Sequence, residues 1–257
     1  MSVFKTFGKY RNLLVELVKR DIKLKYRNSY LGVIWTMLEP LLTMIVLTLV
    51  FSTLLGKGTK DFPVYILTGR LLYAFFSNGT KTALRSIRMH SGMIKKVYVP
   101  KYMYPLSSVL SGYVIFLISL LVLAVVALVR GVYPTLQLFW MIVPLLQVLL
   151  LTAGAGLLLA TMAVFFRDVE YLWSVALMLV MYASAIFYQV ESVISERNAW
   201  IFNLNPLYAI IVNFRNAIFG QPMDFRAMGY ATVFSVVSLL VGTFVFYKKQ
   251  DEFILYL

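Results

Sequence analysis

Long apolar segments alternate with short basic segments along the whole chain. The first apolar segment runs from Leu31 to Leu55, and Glu39 is its only ionisable residue. At about 1.5 Å per residue, a helix over this segment is about 37 Å long, which exceeds the roughly 30 Å hydrocarbon core of a bilayer. The pattern therefore predicts a membrane-spanning helix that the chain enters from the basic segment before it.

Five further segments have the composition of membrane spans, at about residues 62–84, 105–129, 138–166, 171–188 and 228–247. The second is the least apolar, because Arg70 and Lys81 interrupt it. Either both side chains extend to the nearer membrane surface, or Arg70 faces a hydrated path. In the fourth, Pro144 predicts a kink, and the small residues at 153–156 predict close contact with another helix.

Two other segments are apolar without being spans. Between Leu13 and Tyr26, apolar residues at helical spacing alternate with Lys and Arg, which predicts an amphipathic helix at the inner membrane surface. That helix either only anchors the chain or also docks a cytoplasmic partner. Residues 189–226 are too apolar for an ordinary outer loop and are broken at Asn205-Pro206, which predicts two short helices that re-enter the membrane.

The basic residues set the orientation. The net charge is +13, and hydrophobic residues make up 61% of the chain, which leaves no room for a soluble domain. If both termini are cytoplasmic, seventeen of the 24 Lys and Arg lie on the inner side, as the positive-inside rule requires. The charge therefore favours membrane orientation and anionic headgroups over nucleic acid.

No catalytic constellation emerges from the residue types. The chain has no cysteine, so disulfides and thiolate chemistry are excluded, and its single histidine, His90, is expected in a solvated loop. The eleven acidic residues are scattered. Glu39, next to Pro40, is expected to pair with a neighbouring cation or polar group rather than to relay protons. Arg167 and Asp168 are expected to form a structural ion pair at a helix end rather than an acid–base dyad.

Aromatic residues are frequent, at 16% of the chain. They fit either the interfacial belt of any membrane protein or a lining on which sugar rings slide. The candidates for such a conduit lining are Trp35, Tyr73, Phe76, Tyr182, Phe187 and Tyr188.

Four sequence motifs occur in the same order as in one protein family, and together they extend over nearly the whole chain. They are Arg20-Asp21 with Lys25-Tyr26, Tyr30-Leu31-Gly32 and Glu39-Pro40-Leu41; Thr68-Gly69 with Phe75-Phe76-Ser77-Asn78; Phe165-Phe166-Arg167-Asp168-Val169; and Asn205-Pro206-Leu207-Tyr208. Together they resemble the membrane subunits of type 2 ABC exporters, in particular the Wzm-like permeases that export O-antigen polysaccharides, capsules and teichoic acids. One segment differs from the family pattern. Where relatives usually have an apolar stretch with Pro and Trp, this chain has Arg70-Leu71-Leu72-Tyr73.

The resemblance implies a homodimer that encloses a conduit and two copies of a separate ABC ATPase. ATP and magnesium would bind to that ATPase, and this chain would hold no cofactor or metal. The interface helix and the loop from Arg85 to Pro100 would contact the ATPase, with Arg20, Asp21, Lys25, Arg88, Lys95 and Lys96 as coupling residues. The resemblance also implies an outer gate that contains Trp200, Asn205, Pro206 and Arg215.

The sequence thus predicts an all-α integral membrane protein with six transmembrane helices and both termini in the cytoplasm. One domain is expected over 1–257, with the interface helix in 1–30, the spans in 31–247 and a tail in 248–257. The predicted function is ATP-driven export of a lipid-linked polysaccharide across the cytoplasmic membrane by a non-catalytic permease. The alternatives are export of teichoic acid or a small molecule, and a membrane-embedded transferase acting on lipid-linked sugars.

Overall fold

The computed structural model describes residues 3–27, 29–55, 61–96, 99–188 and 200–256, and within these ranges the chain is helical without strands. The α-helices are α1 (Val3–Tyr26), α2 (Trp35–Leu55), α3 (Phe62–Met89), α4 (Ser91–Ile94), α5 (Met103–Arg130), α6 (Ile142–Phe165), α7 (Val169–Tyr182), α8 (Trp200–Asn203), α9 (Pro206–Phe219), α10 (Phe225–Lys249) and α11 (Phe253–Tyr256). Short 3-10 helices cover Gly32–Ile34, Leu136–Met141 and Gln250–Glu252.

Four of the described helical segments are long and apolar enough to cross a membrane. They are Gly32–Phe51, Met103–Arg130, Leu136–Phe165 and Phe225–Tyr256, and the apolar helix α7 is shorter. The all-α membrane class is therefore confirmed, whereas the exact number of six spans stays a prediction.

Helix α3 lies at the centre of the bundle although it is not one of these four segments. It packs against α2, α5, α6, α7 and α9, and Val64, Leu67 and Leu72 on it are completely buried. Its charged side chains lower its hydropathy, yet its remaining surface contacts protein rather than lipid. The helix also continues to Met89, so the first residues of the predicted cytoplasmic loop are helical.

Close contact between α6 and α10 confirms the role predicted for the small residues at 153–156. A Cβ atom on Gly154 would lie 2.4 Å from the backbone nitrogen of Leu239, and one on Gly242 would lie 2.2 Å from the carbonyl oxygen of Gly154. On the other side of α6, a Cβ atom on Gly156 would lie 2.9 Å from that of Ala83. The missing side chains let α6 approach both α10 and α3.

The amphipathic helix α1 is longer than its predicted core of Leu13 to Tyr26. Its apolar side chains Leu14 and Leu17 are buried together with Met103 at the start of α5. This face of α1 therefore contacts the protein as well as any membrane surface.

The outer part of the chain differs from its prediction at the fifth span. Helix α7 ends at Tyr182 rather than Tyr188, and a turn follows in which Ala185 has φ 45°. Of the two predicted re-entrant helices, α9 is buried against α3, α6 and α10, while residues 189–199 lie outside the described part of the chain. Asn205 caps the start of α9 and Pro206 is its first residue.

Candidate translocation cleft

A cleft of about 820 Å³ lies between α1, α2, α3 and α5. Helix α3 contributes one continuous stripe to it, formed by Arg70, Ala74, Asn78, Lys81 and Arg85. Intervals of three and four residues place these positions on one side of a helix. The cations that make α3 a weak span by composition, Arg70 and Lys81, therefore both line this cleft, and a hydrated path along Arg70 stays a prediction.

The opposite walls of the cleft are rich in hydroxyl groups. Thr36 and Thr43 on α2 line it, as do Ser108, Ser111 and Ser119 on α5. The Ser119 hydroxyl donates a hydrogen bond of 2.9 Å to the carbonyl oxygen of Thr36, which ties the two walls together. Hydroxyl groups both donate and accept hydrogen bonds, so these walls suit an uncharged polar ligand such as a sugar.

Two aromatic residues supply an apolar surface within the cleft. Phe75 and Phe116 both line it, and their rings stack with centroids 5.2 Å apart. Aromatic faces beside hydroxyl groups form an amphipathic wall that suits a sugar ring, which has an apolar face and polar edges.

Charge in the cleft is mainly positive. Lys25, Arg70, Lys81 and Arg85 line it, against the carboxylates of Asp21 and Glu39. Glu39 is expected to pair with a neighbouring cation or polar group; among the described residues it forms no ion pair, so the cation half of that expectation is wrong there. Its side chain is exposed and lines the cleft, and the half-buried Pro40 next to it lines the cleft as well. At the inner end, burial raises the pKa of Tyr26, and Glu39 adds to the rise.

At the inner end of the cleft, α1, α3 and α5 are joined by an inner cluster of Arg20, Asp21, His90 and Ser107. The Arg20 guanidinium pairs with Asp21 at 2.9 Å and lies 2.7 Å from His90 Nε2. His90 Nδ1 lies 2.8 Å from the Ser86 carbonyl oxygen, so Nδ1 donates there and Nε2 accepts from Arg20. The Ser107 hydroxyl donates to Asp21 at 3.2 Å.

His90 lies in the turn between α3 and α4, as predicted, but it is half-buried and its ring is bound on both nitrogens rather than freely solvated. Its ring also stacks on that of Tyr104, with centroids 4.8 Å apart. A contact between residues 70 positions apart in sequence cannot be seen in local spacing, and this is why sequence reasoning missed it.

The other predicted coupling residues lie apart from the inner cluster. Lys25, Lys95 and Lys96 are exposed, and the two lysines directly follow α4. Arg88 instead binds Glu170 on α7 at 2.9 Å.

Lys101, at the start of α5, donates a hydrogen bond of 2.6 Å to the Gln250 carbonyl oxygen and so holds the tail. Burial lowers the pKa of Lys101, and the Asp251 carboxylate partly opposes that shift.

Towards α7 and the turn after it, α3 forms the α3–α7 seam of five polar contacts, and Arg85 takes part in the seam while it also lines the edge of the cleft. Arg85 and Arg88 bind Glu170, and the Trp173 indole donates to the Thr80 hydroxyl at 2.9 Å. Further out, the Tyr73 hydroxyl donates to the Leu177 carbonyl oxygen at 2.9 Å. The Tyr65 hydroxyl donates to the Tyr188 carbonyl oxygen, also at 2.9 Å.

The seam corrects the prediction for the hairpin before α7. Arg167 and Asp168 are both exposed, and among the described residues they form no ion pair with each other. Asp168 occupies the position before the first turn of α7 without a side-chain capping bond. The carboxylate that makes an ion pair here is Glu170, which sequence reasoning left without a role.

Arg215 forms the outer clamp, a set of contacts between α9, α3 and the turn after α7. Its guanidinium donates to the carbonyl oxygens of Ala185 at 3.1 Å, Ile186 at 3.2 Å and Tyr65 at 3.3 Å. It also lies 3.5 Å from the centre of the Tyr65 ring. A Cβ atom on Gly69 would lie 2.7 Å from this guanidinium, so α3 needs glycine at that position.

Asn205 reinforces the same junction. Its side-chain amide donates to the Ala183 carbonyl oxygen and the Ser184 hydroxyl, each at 3.0 Å, while its oxygen accepts from the Leu207 amide. The structure thus brings Asn205, at the start of α9, and Arg215, nearer its other end, to the same turn after α7, and Pro206 is the first residue of α9. The side chain of Trp200, the fourth predicted gate residue, lies outside the described part of the structure.

The six candidate aromatics are not brought to one lining. Tyr73 and Phe76 are buried in the core, where Phe76 contacts Trp173. Trp35 and Tyr182 are exposed, Phe187 stacks on Phe51, and Tyr188 contacts Phe202. The Phe and Tyr residues that line the cleft are instead Tyr26, Phe75 and Phe116, and the regular spacing of polar residues along α3 is the signal that would have indicated the face next to Phe75.

Comparisons with known proteins agree on one family. The sequence profile described as ABC-2 type transporter matches residues 12–219. The O-antigen export system permease protein RfbA of Myxococcus xanthus is 30% identical over 248 residues, which cover 95% of each chain. RfbA of Klebsiella pneumoniae is 28% identical over 94% of this chain and 93% of its own. The polysialic acid transport protein KpsM of Escherichia coli is 22% identical over 92% of each.

Proposed function

Because the chain belongs to the ABC-2 type transporter family, we propose that it is the membrane subunit of an ATP-driven exporter of lipid-linked polysaccharide. The cleft is the observation that carries this proposal. Its α3 stripe, its hydroxyl-bearing walls and its two stacked aromatic rings offer hydrogen bonds and apolar faces along one path. The relatives export O-antigen or polysialic acid by name, and such sugar polymers present the chemistry that these walls suit.

The positive charge of the cleft suits the phosphate groups that link such a polymer to its lipid. Lys25, Lys81 and Arg85 lie towards the end of the cleft that is joined to α1. Basic residues near an anionic membrane surface each contribute on the order of 1 kcal/mol of attraction. We place this end in the cytoplasm, together with both termini, so that the lipid-linked head meets these cations as it enters.

The proposed assembly contains two copies of this chain and two copies of an ABC ATPase, which binds ATP and magnesium. The exposed lysines after α4 and the outer surface of α1 are the proposed docking points. The inner cluster links these elements to α5, since Arg20 on α1 contacts both His90 beside α4 and Asp21, which accepts from Ser107. Movement of a docked ATPase would thus reach three helices that border the cleft.

The test is a cell that makes a surface polysaccharide and lacks this chain. Returning the chain together with its ATPase is expected to restore polymer at the cell surface, whereas an ATPase variant that cannot hydrolyse ATP leaves polymer inside. Polymer that reaches the surface without ATP hydrolysis would contradict the proposal. A purified chain that modifies lipid-linked sugars without any ATPase would favour the transferase alternative.

Charge reversal tests the proposed docking points. We expect Lys95→Glu to weaken binding of the ATPase by about fivefold, because one exposed ion pair contributes up to about 1 kcal/mol. Lys248→Glu, an exposed lysine in the last turn of α10, is the matched control and is expected to leave binding unchanged. Co-purification from detergent at several ATPase concentrations measures both, and equal binding by the two variants would move the docking site elsewhere.

A further inference from the structure

Glu170 is the carboxylate that joins α7 to the cytoplasmic end of α3. One of its oxygens accepts from the Arg85 Nε atom at 2.7 Å, and the other accepts from Arg88 at 2.9 Å. Both arginines lie in the last two turns of α3, directly before α4. Glu170 lies in the first turn of α7. A carboxylate shared by two guanidinium groups fixes the relative position of two helices better than a single contact does.

The contacts above Glu170 continue at regular intervals along α7 and into the turn after it, where Tyr188 is the last partner. On α3 they involve Arg88, Thr80, Tyr73 and Tyr65, at intervals of eight, seven and eight residues. At about 1.5 Å per residue these positions span about 35 Å, which is more than the thickness of a bilayer core. The α3–α7 seam therefore runs from the inner basic segment to the outer turn.

The outer end of the seam is bound to α9. The turn after α7 receives hydrogen bonds from Arg215 at Ala185 and Ile186, and from Asn205 at Ala183. Arg215 also donates to the Tyr65 carbonyl oxygen on α3. A displacement of α3 and α7 as one body would thus move the start of α9 with it.

We propose that Glu170 is a positioning residue for export, which makes α3 and α7 move as one body and so carries ATPase movement from α4 to the outer clamp. This inference rests on the proposed export function. According to this inference, α3 moves relative to the helices on its cleft side, where the walls enclose an open space. It does not move relative to α7, because the side chains of the seam are in contact.

The first test compares Glu170→Gln with Glu252→Gln. Glu252 is a matched control, because its carboxylate pairs with Lys249 at 2.7 Å, within the C-terminal tail and outside the seam. Three quantities are measured in membranes: the amount of assembled complex, the rate of ATP hydrolysis, and the polymer exported per ATP hydrolysed. We expect Glu170→Gln to lower export per ATP by about fivefold or more, the usual lower range of coupling between sites, with Glu252→Gln unchanged.

A purely structural role would give a different result. It would reduce the amount of complex and leave export per ATP at the wild-type value, and that outcome would overturn the inference. Absence of ATP-driven export in the wild-type complex would instead count against the proposed function itself.

A second variant tests the one-body movement directly. The natural chain has no cysteine, so Arg88→Cys with Glu170→Cys places the only two thiols of this subunit across the seam. The double variant is expected to lose export per ATP, and a short bifunctional thiol reagent is expected to restore it, while each single variant with the reagent stays impaired. Cross-linking that blocks or fails to restore export would show that α3 and α7 must separate, and would overturn the inference.

Discussion

Towards α2 and α5, helix α3 presents Asn78, Lys81 and Thr82 to an open cleft, whereas towards α7 it presents Tyr73 and Thr80 to a closed seam. The seam side chains each have a partner on α7, and Tyr73 and Thr80 are buried. On the cleft side, neither Arg70 nor Lys81 forms an ion pair among the described residues, and Asn78 is exposed. One face is thus polar to hold the structure, and the other is polar and open to a ligand.

The difference between the two faces of α3 explains how a helix with charged residues is accommodated inside a membrane bundle. Polar groups in lipid must be paired within the protein or face water. Helix α3 uses both solutions at once, and its apolar residues fill the space between the two polar faces. Substitutions on the closed side should therefore act first on stability, and substitutions on the open side should act first on export.

The outer clamp is expected to show the largest effect on stability. Arg215→Leu removes the donor of three carbonyl oxygens in a site where the side chain is 5% exposed. A hydrogen bond from a charged group contributes about 1.5–3 kcal/mol, so the loss of three such bonds is expected to cost at least about 3 kcal/mol. The thermal midpoint of the purified protein in detergent measures this loss. Arg226→Leu, at an exposed position at the start of α10, is the control, and equal effects would contradict the clamp.

Substitution at the contact between α6 and α10 is expected to show the second largest effect on stability. Gly154→Val places atoms where the backbone of α10 lies, and overpacking of this kind costs typically about 1–3 kcal/mol. Gly229→Ala on α10 is the matched control, because a Cβ atom there meets no atom within 4 Å. We expect the control to be neutral or slightly stabilising in the same thermal assay, since alanine favours helix over glycine. A neutral Gly154→Val would mean that the two helices are further apart.

A pair of threonines two positions apart sharpens the comparison between the two faces. Thr80→Val leaves the Trp173 indole without its acceptor in the seam and is expected to cost about 1–2 kcal/mol. Thr82 lines the cleft and is exposed, so Thr82→Val is expected to change stability by less than about 0.5 kcal/mol. Export per complex is expected to fall in Thr82→Val, because a hydroxyl of the path is lost. Reversed effects would contradict the assignment of the faces.

A helix can be predicted from the sequence when local residues determine it, and cannot when contacts with distant residues determine it. Helices α2, α5, α6 and α10 are visible in hydropathy, because a span in lipid needs a continuous apolar segment. The end of α7 at Tyr182 is not visible, since the residues that follow are still apolar and the turn depends on hydrogen bonds from Asn205 and Arg215. Local pattern contains no information about those distant donors.

The candidate site likewise contains some residues that local sequence indicates and others whose role depends on distant partners. The cations Arg70 and Lys81 were noticed in the sequence because they interrupt an apolar segment, and the structure places both in the cleft. The contacts of His90 and Glu170 cannot be predicted from local sequence, because their partners lie 70 and more than 80 residues away. The predicted aromatic lining rests on residue type alone, and type does not distinguish Phe75 in the cleft from Tyr73 in the seam.

Thiol labelling in this naturally cysteine-free chain tests most directly whether the open face of α3 lines the polymer path. Asn78→Cys and the neighbouring Ser77→Cys are compared in complexes with the ATPase, using a membrane-impermeant reagent, in membranes with and without the polysaccharide. Asn78 is exposed in the cleft and Ser77 is buried. We expect rapid labelling of the thiol at position 78 that slows when polymer is present, and no labelling at position 77. Equal reactivity at both positions, or labelling at 78 that polymer does not slow, would contradict the path.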